Sequence, residues 1–256
     1  MSSDLEAMFG EVVGKGFQST VYARGEHAVK LYREGYPKRN VFSEAYIMVN
    51  LELANFPGPR IYEVLLVDGR YGLRMDRVKG KVMSEEDPAR WKETLDVLVN
   101  LQCRLQKYDK VGGLPDLKQR LHHDLVKNDM LSADLKKNLL GILGRMPDGQ
   151  ALCHCDFHWD NVFFDGAKYT VIDLLQISRG DPAADAACSY AAYSFKEQDP
   201  RFKGRELAEY YLNRYCGESG IPEKSVRQWL RVYAGTILGQ VPEQFTPIVE
   251  RFIAGS

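Results

Sequence analysis

The fold of this 256-residue chain turns on one stretch, Leu152-Cys153-His154-Cys155-Asp156-Phe157-His158-Trp159-Asp160-Asn161-Val162-Phe163-Phe164, and on Tyr169-Thr170-Val171-Ile172-Asp173 shortly after it. The apolar run 151–153 reads as the end of a buried strand. A polar turn follows that holds His154, Asp156, His158, Asp160 and Asn161. Two further apolar runs, 162–164 and 169–172, flank Asp165-Gly166, and that spacing predicts a β-hairpin. Asp156 and Asn161 then lie on the loop before the first strand of the hairpin. Asp173 lies just past the end of the second. Three oxygen-bearing side chains can converge on one point, and two carboxylates with an amide suit a hard cation such as Mg2+.

Phosphoryl transfer from a nucleotide uses that set: an Asp for the attacking hydroxyl, an Asn on the same loop for metal, and a later Asp for metal. Asp156 precedes Asn161 by five positions, the spacing of the kinase catalytic loop. The segment resembles the His-Gly-Asp-Phe-His-Pro-Gly-Asn motif of aminoglycoside phosphotransferase-like and choline-kinase-like small-molecule kinases. Cys155 stands where that family has Gly, and Trp159-Asp160 replace Pro-Gly; neither change removes a ligand. Gly180-Asp181-Pro182, with Asp185 beyond it, resembles a second stretch of the family. Asp before Pro at a helix start is also a helix cap, and Asp185 is expected to brace the catalytic loop. The resemblance runs from Gly14 to about Asp185.

Upstream, residues 9–15 and 19–24 read as strands around Gly14-Lys15-Gly16-Phe17-Gln18. Gly14, Gly16 and Ser19 give a loop whose backbone can lie close over phosphates, although it has no Walker A ending. A third strand, 26–32, holds Lys30 between Val29 and Leu31, so strand alternation turns the lysine away from them. Lys30 resembles the third-strand lysine of kinases, which holds the α- and β-phosphates. Residues 37–55 read as a helix with Val41, Ala45, Met48, Val49 and Leu53 at helical spacing. Glu44 on it is the candidate partner for Lys30, with Glu52 as the fallback. After Phe56-Pro57-Gly58-Pro59, residues 61–67 and 71–75 form a hairpin around Asp68-Gly69. Met75 to Gly80 then reads as a connection between lobes, where the resemblance assigns the backbone of Asp76 to Val78 to the adenine edge. An interlobe crevice is a usual place for a ligand.

Downstream, 88–107, 117–127 and 132–144 read as helices, as do 183–195, 204–216, 225–240 and 245–253. The resemblance therefore implies an α+β, two-lobed protein-kinase-like fold. Residues 1–78 form a small antiparallel β-lobe with one helix, which binds the nucleotide. Residues 79–256 form a larger, mainly helical lobe with the catalytic hairpin and the acceptor site. The implied activity is ATP- and Mg2+-dependent transfer of the γ-phosphoryl group to a small-molecule hydroxyl, aminoglycoside-, choline- or sugar-like. In it Asp156 is the catalytic base, Asn161 and Asp173 hold metal, and Lys30, oriented by Glu44, holds phosphates.

Composition excludes other classes. The formal net charge of −1 gives no field for nucleic acid or an anionic membrane. No window approaches a membrane span, and residues 1–8 are no signal peptide. Five scattered cysteines suit reduced thiols in a cytoplasmic setting. Two alternatives stay open. A nucleotide-binding pseudokinase serving as a partner module is opposed by Lys30, Asp156, Asn161 and Asp173. An atypical protein kinase is opposed by the lack of an Ala-Pro-Glu segment and a long activation loop.

Overall fold

A computed structural model describes residues 2–108, 110–202 and 206–255. By contacts it divides into two compact units. The first takes in Met1–Val82, Val111–Gly113 and Val162–Leu175; the second takes in Met83–Lys110, Leu114–Asn161 and Gln176–Ser256. The strands of the expected hairpin thus cluster with the N-terminal part, while the loop before them clusters with the C-terminal part.

The first unit contains α1 (Ser2–Phe9), β1 (Glu11–Lys15), β2 (Ser19–Arg24), β3 (His27–Tyr32), α2 (Lys38–Leu53), β4 (Ile61–Val67), β5 (Arg70–Asp76), β6 (Lys81–Val82), β8 (Val162–Phe164) and β9 (Tyr169–Val171). Its five-stranded antiparallel sheet has the order β1-β2-β3-β5-β4. One face buries Tyr22, Val29 and Leu31 against Leu5 of α1, with Phe9, Val12, Leu65 and Val67 around them. Helix α1 has no counterpart in the sequence reading, which assigned no element to residues 1–8. Strand β1 runs on to Lys15, so Gly14 is a strand residue opposite Val21 and the turn is confined to 16–18.

Helix α2 buries Val41, Glu44, Ala45, Ile47, Met48 and Leu51. The expected apolar stripe is therefore rotated. Val49 and Leu53 are exposed, at 46% and 78%, and a carboxylate sits in the buried face instead. Ile47 and Leu51 are buried in their place, and Glu44 on that face meets Lys30, as described below.

The hairpin forms as the turn chemistry requires. Asp165 Oδ1 accepts the Ala167 and Lys168 amides, each at 2.9 Å. β8 pairs with β9 and, on its other side, with β6. Gly80 admits that second pairing: its φ is +95°, and a Cβ there would stand 2.2 Å from the Phe164 carbonyl oxygen.

The second unit holds α3 (Trp91–Leu105), α4 (Leu117–Lys127), α5 (Ala133–Arg145), β7 (Ala151–Cys153), β10 (Ser178–Gly180), α6 (Pro182–Lys196), α7 (Leu207–Ser219), α8 (Glu223–Ile237) and α9 (Thr246–Ala254). The expected start of a helix at 204 lies outside the described residues. Leu95, Leu98, Leu101 and Leu105 form the buried stripe of α3, as their spacing requires. Strand β7 pairs antiparallel with β10, a strand too short and polar to be read from sequence. Among the described residues no helix is long and apolar enough to cross a membrane. All five cysteines are free thiols.

Candidate active site

In the first unit, strand alternation turns Val29 and Leu31 into the apolar cluster and leaves Lys30 on the opposite face. Its ammonium lies 2.7 Å from Glu44 Oε1 and 3.4 Å from Asp173 Oδ1. The Glu44 side chain is only 4% exposed, and the buried Tyr32 hydroxyl donates to its second oxygen. A carboxylate so enclosed is retained only when charge and hydrogen bonds compensate it. Burial pushes the Lys30 pKa down, but Glu44 and Asp173 outweigh burial and hold it above the usual lysine value. Glu44, not Glu52, is the partner. Asp173 follows β9 with a φ of +60°, a conformation disfavoured for a residue with a side chain, and its side chain is 49% exposed. It therefore presents an open carboxylate next to the lysine.

The Gly16 amide bonds the Ser19 carbonyl at 2.9 Å and closes the first turn; Phe17 at its tip is 84% exposed. In the connection after β5, the Asp76 amide donates to Arg60 O at 3.0 Å and the Arg77 amide to Glu26 O at 2.8 Å. The Asp76 carboxylate is held by Tyr62 at 2.5 Å and Arg60 at 3.2 Å. The backbone N–H of Asp76 is thus committed to the sheet, and the Val78 amide takes part in neither bond.

In the second unit, the loop from His154 to Asn161 is built around its own side chains. Asn161 Nδ2 donates to Asp156 O at 2.8 Å and to Asp156 Oδ2 at 3.1 Å. That orientation commits the amide NH2 and leaves the Asn161 carbonyl oxygen as the atom able to ligate a cation. The Asp160 amide donates to His158 Nδ1 at 3.2 Å, and His158 Nε2 lies 3.3 Å from Asp156 Oδ1. His158 thus spans the loop, Nδ1 toward Asp160 and Nε2 toward Asp156. His158 therefore aims Asp156. Burial pushes the Asp156 carboxyl up, but His158, His154 and Asn161 outweigh this and hold it below the usual carboxylate range.

The two departures from the family motif have structural answers. Trp159 is buried, stacked on Phe202 at 4.8 Å and edge-on to Tyr193 at 5.4 Å. Asp160 is paired with Lys196 of α6. Together they bolt the loop to the helical unit where Pro-Gly would leave a bare turn. Cys155 adopts a φ of +63° and is fully buried, its amide donating to Asp185 Oδ1 at 2.8 Å. The position thus keeps the left-handed backbone that glycine favours. Cys155→Gly is expected to be more stable than Cys155→Ala by about 1 kcal/mol, the reverse of the usual order, because only glycine relieves the left-handed strain. Chemical denaturation of the two variants measures the difference.

Asp185 performs the bracing read from sequence. Its Oδ2 accepts from Gln102 Nε2 at 2.8 Å and Gln106 Nε2 at 2.9 Å. Those glutamines in turn accept from Tyr211 at 2.7 Å and Tyr215 at 2.9 Å. Sequence reasoning missed Gln102 and Gln106; two amides four residues apart, beside an apolar helix stripe, were the available signal. Asp181 caps α6 through the Ala183 amide at 2.9 Å and also accepts from Trp229 at 3.0 Å.

A sequence model of the phosphotransferase enzyme family matches residues 10–227. The chain belongs to the phosphotransferase enzyme family. No curated protein matches it. Solved structures do. An aminoglycoside phosphotransferase from Streptomyces rimosus, in complex with ADP and streptomycin, is 19% identical with a TM-score of 0.67, covering 91% of this chain and 96% of its own. A thermostable mutant of another aminoglycoside phosphotransferase, with ADP and hygromycin B, is 14% identical with a TM-score of 0.68, covering 99% and 96%. A choline/ethanolamine kinase family protein from Mesorhizobium loti is 15% identical with a TM-score of 0.59, covering 96% and 87%. These likenesses show the fold: this phosphotransferase has the α+β, kinase-like architecture expected of it, with a small antiparallel sheet and a larger helical part.

Proposed function

We propose that this phosphotransferase moves the γ-phosphoryl group of ATP to a hydroxyl of a small molecule, with Mg2+ as cofactor. The observation that carries the reading is the Lys30–Glu44–Asp173 constellation: a buried carboxylate, a lysine and an open carboxylate within 3.4 Å, drawn from positions 143 residues apart at most. A fold-stabilising ion pair needs one carboxylate; a second, half-exposed one on a left-handed residue is what a ligand site adds.

In this reading residues 1–78 hold the nucleotide, with Lys30 on its α- and β-phosphates, and the backbone of Gly14, Gly16 and Ser19 over them. The Asp76–Val78 segment meets the adenine edge, with Val78 supplying the amide. Residues 79–256 carry the catalytic loop and the acceptor site. The donor set fits magnesium. Asp173 offers a carboxylate and Asn161 an amide oxygen, and among the described residues no group of three or more His, Cys, Asp and Glu is assembled for a metal. Asp173 and Asn161 would hold the ion through oxygen, the donor type that Mg2+ takes. When bound it neutralises charge on the phosphates.

Asp156 accepts the proton of the acceptor hydroxyl as its oxygen bonds to the γ-phosphorus. The bond from that phosphorus to the β,γ-bridging oxygen breaks, ADP leaves, and the proton passes on to solvent. His158 keeps the carboxylate aimed during transfer. The five free thiols suit a reducing, cytoplasmic compartment.

A screen of hydroxylated metabolites and antibiotics for acceptor-stimulated ADP release tests the activity; a chain that never turns over Mg·ATP under any acceptor is a pseudokinase instead. Asp173→Ala should abolish the Mg2+ dependence of ATP binding. Calorimetry showing the same Mg·ATP affinity in both proteins would remove Asp173 from the metal site.

A further inference from the structure

We propose that Asp160 and Lys196 are positioning residues for phosphoryl transfer, which hold the Asp156 carboxylate in its working orientation by acting through His158. The proposal rests on Asp156 being the base of a phosphotransferase. It assigns to that site a line of side chains that the Pro-Gly of the related motif could not form, since neither residue carries a carboxylate.

All of these groups lie in the second unit. Asp156 Oδ2 accepts from Asn161 Nδ2 at 3.1 Å, and Asp156 Oδ1 faces His158 Nε2 at 3.3 Å. Two partners therefore limit the rotation of the carboxylate. The imidazole is itself held from its other side. His158 Nδ1 accepts the Asp160 amide at 3.2 Å and lies 3.4 Å from Asp160 Oδ2. That same Oδ2 accepts from the Lys196 ammonium. The contacts thus run in one line from Asp156 through His158 and Asp160 to Lys196.

Helix α6 is the frame on which the line ends. Lys196 stands in its last turn, where the helix's free carbonyls also favour a cation. Asp185, which accepts the Cys155 amide at 2.8 Å, lies about three turns earlier and so on the same side of the helix. Between them Tyr193 meets Trp159 edge-on at 5.4 Å. One helix therefore grips the loop on both sides of Asp156, at Cys155 before it and at Trp159 and Asp160 beyond it.

Stability alone does not account for the grip at Asp160. Trp159 already anchors that end of the loop, buried against Phe202 and Tyr193. The Lys196 and Asp160 side chains are 32% and 37% exposed, and an ion pair so open to water adds little to folding. What the lysine does fix is the direction of the oxygen that meets His158. A catalytic group gains most from such fixing, because a small misplacement of it costs far more rate than stability.

The test follows ADP release from Mg·ATP with water, glycerol, choline or streptomycin as acceptor. Lys196→Met and Asp160→Asn should lower kcat about 10- to 100-fold with KM for Mg·ATP little changed, as a misaimed group does. Lys196→Arg should restore most of the rate. The deciding comparison places Lys196→Met in the Asp156→Ala background. There it should cost nothing further in kcat, because the residues act as one unit; a lysine with a merely structural role would lose its full factor in both backgrounds. A second measurement needs no turnover. In 15N-edited spectra of the whole chain, the His158 ring signals are assigned by their loss in His158→Gln. They should move in Lys196→Met, although the lysine is paired with Asp160 and not with the ring, and return in Lys196→Arg. The proposal is overturned if folded Lys196→Met keeps the wild-type kcat, if its loss persists undiminished without Asp156, or if the His158 signals ignore it. Should Lys196→Met fail to fold, Lys196→Gln and Asp160→Asn carry the same comparisons. A loss in Asp156→Ala with none in Lys196→Met or Asp160→Asn defeats this proposal alone. Asp156→Ala at the wild-type rate defeats the assignment of the base, and wild-type protein that turns over with no acceptor defeats the phosphotransfer reading itself.

Discussion

Replacing Asp156 by alanine is expected to lower turnover by about 10²- to 10⁴-fold, the usual contribution of a positioned proton acceptor, while nucleotide binding persists. The separation follows from where the residue sits. Asp156 belongs to the loop of the second unit, held by Asn161 and His158, whereas the Lys30 group belongs to the first. A variant that keeps the wild-type rate with an accepted substrate would show that another group takes the proton. The pH dependence has a definite sign. The Asp156 carboxyl is held below its ordinary value, so its anion is present at neutral pH and is lost only on acidification below roughly pH 4. Its contribution to folding stability runs the same way: present above the unfolded pKa, and lost as pH falls through the depressed folded one. An acid limb of turnover centred near pH 6 would point to a different titrating group.

Glu44→Ala should cost about 3 kcal/mol of stability, the lower end of the 3–5 kcal/mol for breaking a buried pair, because Asp173 remains near the stranded lysine. Two consequences separate a structural pair from a functional one. The double variant Lys30→Met/Glu44→Leu should recover most of that stability, since neither charge is then buried alone. It should not recover turnover, because the cation meant for the phosphates is gone. Denaturation of the single and double variants, with ADP release measured on each, gives both answers. Full activity in the folded double variant would reduce Lys30 and Glu44 to a structural ion pair.

Much of the protein could be read from local pattern alone. Alternation in 27–32 placed Val29 and Leu31 inward and Lys30 outward. Asp165-Gly166 between two apolar runs fixed the hairpin, because those residues supply the cap and the positive φ of its turn. The interval from Asp156 to Asn161 was legible because both belong to one short loop. Asp181 before Pro182 announced a helix start.

What escaped had no local signature. Helix α1 and strand β10 are short, and each forms because a partner surface already exists: the Tyr22–Leu31 face for one, β7 for the other. The rotation of α2, which buries Glu44 while Val49 and Leu53 stay in solvent, reverses the preference of those side chains. The face that is buried instead carries Ile47, Met48 and Leu51 with Glu44, and the meeting of Glu44 with the Lys30 ammonium exists only in the folded chain.

The sequence by itself determined the family, most of the strands and helices, and the identity of the loop that bears Asp156, because these depend on residue type and short-range spacing. Only the tertiary structure decided which acid faces Lys30 and that Cys155 holds a left-handed backbone under Asp185. Each of these is a meeting of side chains far apart in the chain, and the energy of a charge depends on what surrounds it after folding.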